Sequence, residues 1–354
     1  MTLPKRTRLL LIPMVLTVAL VSTLSSGAMA TPEQTPTQKE VKTALEEAVA
    51  AGVPGISLAI RSPEGGEFLA AGDASLEQPR PLGPEDRFRI ASVTKAFTAA
   101  VVMQQIEEGR LSLDDTVERW VPGLLAKGDS ITVRNLLGHT SGLPEYTKDE
   151  KFIEAFTSGE DLSPREIVSF VSSEPLAFEP GTRYEYSDTD NIVLGLIIEA
   201  ASGRSYEQEV HSRILEPLGL QATTLPNSAQ MPDPHAQGYQ YDPEGGGAGK
   251  PENVTTALDP SAAWASGALI STPGDVSRFF GAVLGGELVG EDQLEQMQET
   301  MAGEGSPSGP GIKRAGLGIF SYEPPCGVVW CHTGQFPAFR HTEPRLPMGA
   351  LRAP

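Results

Sequence analysis

Ser92-Val93-Thr94-Lys95 places a hydroxyl and an amine three residues apart at what reads as a helix start. Positions three apart share one face of a helix, so Lys95 can reach the Ser92 oxygen. A serine hydroxyl becomes a useful nucleophile when a neighbouring base takes its proton, and a desolvated lysine can be that base. Ordinary Ser and Lys usage yields about one such spacing by chance in a chain of this length, so the chemistry needs further parts. Tyr184-Glu185-Tyr186-Ser187-Asp188 lies between the turn Glu179-Pro180-Gly181-Thr182 and a helical pattern, where side chains can project into a cleft. His332-Thr333-Gly334 follows the apolar run 327–330, at or near the end of a predicted strand. A hydroxyl, an amine, a phenol and an imidazole gathered this way suit acyl transfer through a covalent intermediate.

Other polar residues read as structural. Asp114 and Asp115 suit helix-cap and loop positions, Tyr184 suits packing, and His139 suits holding a loop. Cys331 beside His332 has no second ligand pair at zinc spacing. Neither a metal nor any other cofactor is expected.

The elements that must position these residues follow from periodicity. Residues 41–51 are helical and stop at Gly52; residues 56–60 and 67–71 flank Pro63-Glu64-Gly65-Gly66 as a hairpin. Residues 96–109 form an apolar helix behind Ser92. Residues 131–137, 164–172 and 191–201 are helical, and the stretch from about 115 to 225 has little strand character. Residues 242–247 and 303–311 read as loops, residues 273–280 as a helix, and residues 317–321 and 327–330 as strands. A hairpin and closing strands around an all-helical middle predict an α/β (α+β) domain: an antiparallel sheet flanked by helices, with an inserted helical subdomain at about 115–225.

The N-terminus reads as an export signal over residues 1–30, with Lys5, Arg6 and Arg8 before an apolar run and Ala28-Met29-Ala30 as a cleavage site. Residues 31–40 read as a disordered leader and residues 41–340 as the folded domain. Removing the three signal bases takes the net charge from −19 to −22, which disfavours nucleic acid and anionic membranes as partners. A secreted protein with no membrane anchor after cleavage is expected. Cys326 and Cys331 are its two cysteines. On one extended strand their Cα atoms would lie roughly 16 Å apart, so they pair only across a turn.

Taken together, the three motifs make the chain resemble the serine β-lactamases and penicillin-binding proteins of the class C type, closest to exported D-alanyl-D-alanine carboxypeptidases. The resemblance runs from about residue 41 to 340 and includes the connectors Gly109 to Asp115, Leu136 to Leu143, and Trp264-Ala265-Ser266-Gly267-Ala268. It implies Ser92 as the acylated nucleophile, Lys95 as its proton partner, and Tyr186 as the phenol exchanging protons with serine and leaving group. It places His332, Thr333, Gln335, Asp188 and Trp264 around the substrate, with the Ser92 and Gln335 N–H groups as the oxyanion hole. His332 stands where many relatives carry lysine, and a histidine there resembles the peptidase branch.

Two departures stand out. The peptidase motif usually ends in Asn, where this chain has Asp188, a residue common in esterase-like members that would favour the protonated form of Lys95. Relatives continue past the H-T-G triplet with two strands and a helix. Residues 341–354 carry Pro344, Pro347 and Pro354 and read as an atypical, truncated or frameshifted tail, so the last strands and C-terminal helix are expected to be missing. The resemblance implies a D-Ala-D-Ala carboxypeptidase acting on peptidoglycan stem peptides and acylated by β-lactams. A class C-like β-lactamase or an esterase on the same site is one alternative, and a truncated inactive protein or non-catalytic binder another. Oligomeric state stays open.

Overall fold

The computed structural model describes residues 19–20, 37–62, 65–240, 251–257, 259–300, 312–323 and 327–335. Its strands are β1 (Ala19–Leu20), β2 (Gly55–Ser62), β3 (Gly65–Gly72), β4 (Phe88–Arg89), β5 (Tyr239–Gln240), β6 (Glu252–Asn253), β7 (Ile270–Ser271), β8 (Ile312–Ala315), β9 (Phe320–Tyr322) and β10 (Val329–Cys331). The first helices are α1 (Gln38–Ala50), α2 (Thr94–Glu107), α3 (Val117–Trp120), α4 (Val133–Leu137), α5 (Glu150–Ser158) and α6 (Pro164–Ser169). After them come α7 (Asp188–Ser202), α8 (Tyr206–Val210), α9 (Glu216–Leu218), α10 (Trp264–Gly267), α11 (Pro273–Leu284) and α12 (Glu291–Gln298).

The predicted hairpin pairs Gly55↔Gly72 through Ser62↔Gly65 in antiparallel register. A second antiparallel ladder runs β10-β9-β8, and β4 pairs with β7. Between Thr116 and Thr224 the described residues form helices and turns, as expected, with one isolated bridge joining Thr116 to Thr132. These helices do not have a separate interior. One apolar cluster runs from Ile90 through Leu136, Ile192, Tyr206 and Phe279 to Ile319. Its centre is α2, whose sequence is apolar on every side and therefore buried on every side. Phe97 of α2 stacks on Phe279 of α11 with centroids 3.7 Å apart.

Several sequence expectations need correction. Residues 37–40 are not part of a disordered leader: Thr37 caps α1, and Glu40 returns the hydrogen bond to its N–H, a reciprocal box that starts the helix early. Ala19–Leu20, within the stretch read from sequence as an export signal, runs parallel to Ala59–Ile60. An open strand edge offers unpaired N–H and C=O groups that an apolar extended segment can satisfy. The two-residue strands β4 to β7 are not legible in the sequence, since two residues carry no periodicity; the four-residue ladder strand β8 is a further addition. Helices α4 and α6 are shorter than their apolar patterns. The loops at 242–247 and 303–311, the tail at 341–354 and Cys326 lie outside the described residues.

Candidate active site

Ser92 sits in a 3₁₀ turn, Ala91–Val93, that runs directly into α2. Ala91 has φ +48°, a left-handed conformation that costs a residue with a Cβ and that proteins retain where the surroundings enforce it. The strain places the nucleophile at the mouth of a buried helix. One turn on, the Lys95 side chain is fully buried. Its Nζ lies 3.1 Å from Ser92 Oγ, 2.6 Å from Asp188 Oδ1 and 2.6 Å from the main-chain oxygen of Ser266. The two close acceptors fix two N–H directions. The remaining tetrahedral position points at Ser92, whether it carries a proton or a lone pair.

Three supports hold this arrangement. Thr98 Oγ1, one turn beyond Lys95, donates to the Ala265 carbonyl at 2.8 Å and lies 2.7 Å from the Tyr206 hydroxyl. Tyr146 Oη donates to the Ala262 carbonyl at 2.7 Å, so the 260–267 segment that presents Ser266 is tied from both ends. Gly334 packs so closely that a Cβ there would collide with the Ile90 carbonyl, which brings the third motif against the nucleophile turn.

Tyr186 lies on the extended segment leading into α7, with its phenol near enough to the Ser92 hydroxyl to be influenced by it. Lys95 Nζ lies 4.9 Å from its ring centroid. Burial, then the Asp188 charge, push its phenol well above the usual range, so it enters as a neutral hydroxyl. His139, at φ +53°, packs its ring 4.5 Å from that of Tyr186. Its carbonyl accepts from Glu185 N–H at 2.9 Å. Its Nδ1 lies 3.0 Å from Asp190 Oδ2. Burial and the Lys95 charge push the imidazole down to about 3, while burial drives the Asp190 carboxyl well up. A neutral acid facing a neutral imidazole braces the Tyr186 segment, the loop-holding part foreseen for His139.

Asp188 is the first residue of α7, and its N–H donates to Glu145 Oε2 at 2.7 Å. Glu145 also accepts from the N–H and hydroxyl of Thr147. Burial, followed by the Asp188 charge, raises the Glu145 carboxyl to about 7. His332 follows β10, and its Nδ1 lies 2.6 Å from the Thr333 carbonyl, to which it donates. Burial and Lys95 hold the ring well below its usual value. The imidazole is thus neutral, and its buried Nε2 has no partner among the described residues, leaving an acceptor lone pair.

A cleft opens over Ser92. Tyr146, Phe152 and Phe156 form an apolar wall, and Asp188, Asp259, Ser266 and Gln335 supply polar edges. Ser92, Lys95, Tyr186 and Asp188 therefore meet directly, and Gln335 joins them at the rim. His332 and Thr333 precede it by three and two residues, with His332 close enough to feel the Lys95 charge. Trp264 does not join them. Its ring packs against Gly195 and 5.1 Å from Tyr206, beside a separate surface depression lined by Ser163, Pro164 and Arg165. Sequence reasoning missed the Ser266 carbonyl, which no side chain advertises, and Glu145, whose signal was an acid two residues after the Leu136 to Leu143 connector.

The family description "Beta-lactamase" matches residues 41–351. Penicillin-binding protein 4* of Bacillus subtilis (strain 168) is 37% identical over 187 residues, which make up 51% of this chain and 41% of that protein. The chain thus spans less than half the length of the curated relatives it matches. Among solved structures, a D-stereospecific amidohydrolase from Streptomyces sp. superposes with TM-score 0.73 at 35% identity, covering 85% of this chain and 88% of that one. A D-amino acid amidase from Ochrobactrum anthropi SV3, complexed with L-phenylalanine amide, superposes with TM-score 0.75 at 30% identity, covering 84% of each chain.

Proposed function

The chain belongs to the beta-lactamase family of serine hydrolases, and on that premise we propose that it cleaves amide bonds on the carbonyl side of D-amino acid residues through an acyl-enzyme on Ser92. The observation that carries this reading is Lys95 Nζ, buried and held by Asp188 and Ser266 so that its free valence meets Ser92 Oγ. As a neutral amine, Lys95 takes the Ser92 proton while the Oγ–C bond forms. The proton then passes, by way of the Tyr186 hydroxyl, to the departing nitrogen as the C–N bond breaks. The Ser92 and Gln335 N–H groups receive the oxyanion, each worth about 3 kcal/mol at the transition state. Water repeats the sequence to free the acid.

Charge in the cleft favours substrates that bring no carboxylate. Among the described lining residues Asp188 and Asp259 are acidic and none is Lys or Arg, and His332 is neutral. The apolar wall of Tyr146, Phe152 and Phe156 suits a bulky side chain on the acyl residue. D-Aminoacyl amides with aromatic side chains meet both conditions. D-Ala-D-Ala carboxypeptidase action on peptidoglycan stem peptides is the second reading, favoured by the Tyr186-Ser187-Asp188 and His332-Thr333-Gly334 motifs. Export through residues 1–30 accords with either.

Hydrolysis of D-phenylalanine amide, L-phenylalanine amide, a D-Ala-D-Ala peptide, nitrocefin and a short acyl ester, compared in wild type and Ser92→Ala, tests the proposal. The expected result is Ser92-dependent turnover, fastest on the D-amide. Preference for the D-Ala-D-Ala peptide would select the second reading. Turnover of the ester alone would reject both.

A further inference from the structure

We propose that Gly195 and Trp264 form a stop between α7 and α10 that sets where the Ser266 carbonyl stands, and through it the aim of Lys95 at Ser92. The inference rests on the acyl-enzyme reading of Ser92. Trp264 is then a positioning residue, acting through the main chain and not on the substrate.

The two close acceptors of Lys95 Nζ belong to different elements. Asp188 begins α7 and the Ser266 carbonyl belongs to α10, each 2.6 Å from the amine. Their relative placement therefore depends on how closely α7 and α10 approach. Gly195, about two turns into α7, is where the two helices touch. A Cβ there would lie 2.5 Å from Trp264 Cζ3 and 2.8 Å from both Trp264 Cη2 and Ala265 Cβ. The first two atoms are the outer edge of the indole, and the third is the methyl of a fully buried residue. Any side chain at Gly195 would press on the stretch 264–266.

The indole is not free to step aside. Trp264 has φ +28°, a left-handed conformation that is costly for a bulky side chain and persists where the surroundings enforce it. Its ring meets that of fully buried Tyr206 edge-on, with centroids 5.1 Å apart. The Tyr206 hydroxyl lies 2.7 Å from Thr98 Oγ1, which donates to the Ala265 carbonyl at 2.8 Å. At its other end α10 meets the nucleophile turn, where a Cβ on Gly267 would lie 3.7 Å from the main-chain carbon of Ala91. In so closely packed an interior, extra volume at Gly195 displaces the 264–266 main chain, and the Ser266 carbonyl moves with it. A misplacement of about 1 Å in a group that orients reacting atoms can cost about a hundredfold in rate.

The test measures kcat and KM for D-phenylalanine amide and p-nitrophenyl acetate in wild type, Gly195→Ala, Trp264→Phe and the double variant. Rates are expressed per Ser92 labelled to completion by a fluorophosphonate, so that unfolded molecules are not counted. Alanine is a better helix former than glycine, so Gly195→Ala should not weaken α7 itself. Its kcat should fall by about tenfold to a hundredfold on both substrates. Acylation and deacylation both use Lys95, so KM should stay unchanged. Trp264→Phe removes the ring edge that carries Cζ3 and Cη2, and in the double variant the added methyl takes that space. The double variant should be faster than Gly195→Ala by about tenfold. Wild-type kcat in Gly195→Ala, or no recovery in the double variant, would overturn the inference alone. So would a lower melting temperature with kcat per labelled site unchanged, which marks a merely structural contact. A loss in Trp264→Phe that appears in KM or on the D-amide alone would put the indole against the substrate and overturn it as well. If Gly195→Ala gives no labelled sites, Trp264→Phe decides: a lower kcat on both substrates at unchanged KM supports the stop, and wild-type kcat overturns it. Absence of Ser92-dependent turnover in wild type on both substrates would overturn the acyl-enzyme reading and this inference with it.

Discussion

At the scale of residues, the site works by restricting which groups carry charge. Lys95 and Asp188 form the ion pair, while the groups packed around them are neutral through burial. Glu145 is the exception that titrates near neutrality. Its folded carboxyl keeps a proton up to about 7, against a usual value of 4.5. Between those values the folded state binds more protons than the unfolded state. Stability therefore falls as pH rises through that window, and stays reduced above it. Glu145→Gln removes this dependence, so the melting temperature of the variant relative to wild type should increase between about pH 4.5 and pH 8. A constant difference across that range would mean the carboxyl titrates normally. Ser92, Lys95, Tyr186 and Asp188 were legible because motif spacing reports side chains. The Ser266 carbonyl was not, because any residue could provide it. Trp264 misled because its sequence neighbours Ala263 and Ser266 do line the cleft, while the chain turns its ring away.

At the scale of elements, α2 carries the chemistry and its neighbours must lie very close to it. Gly318, at φ +75°, passes so near that a Cβ would collide with the Ala99 Cβ. Its N–H reaches the Leu137 carbonyl at 3.0 Å. Gly318→Ala combines a left-handed backbone with overpacking and should cost about 2–4 kcal/mol in urea unfolding. Adding Ala99→Gly should recover the packing part and leave the backbone part. Full recovery would show that backbone conformation contributes nothing. The helices α1, α2, α7 and α11 were legible from apolar periodicity and from caps such as Thr272 before Pro273. Pairs such as β4 with β7 were not, since they form only after distant segments meet.

At the scale of the molecule, the helical middle and the α2–α11 layer share one core, although the sequence pattern sets the middle apart as an inserted unit. Periodicity identifies which residues are buried but not which other segment they are buried against. The stacked pair Phe97 and Phe279 lies within this shared interior. Phe279→Ala should cost about 3–5 kcal/mol. Far-UV circular dichroism and tryptophan fluorescence should report one coincident, earlier transition. Two separated transitions would show that the helical part unfolds on its own.

The acceptors around Lys95 arrive at different times during synthesis. Ser92 and Lys95 emerge together, Asp188 follows 93 residues after the lysine, and the Ser266 carbonyl 171 residues after it. Until that last group is in place, the amine lacks one of the two anchors that aim it at the hydroxyl. In a growing chain the amine therefore lacks its full set of anchors until Ser266 has been made. Sequence separation alone delays the chemistry until most of the fold exists.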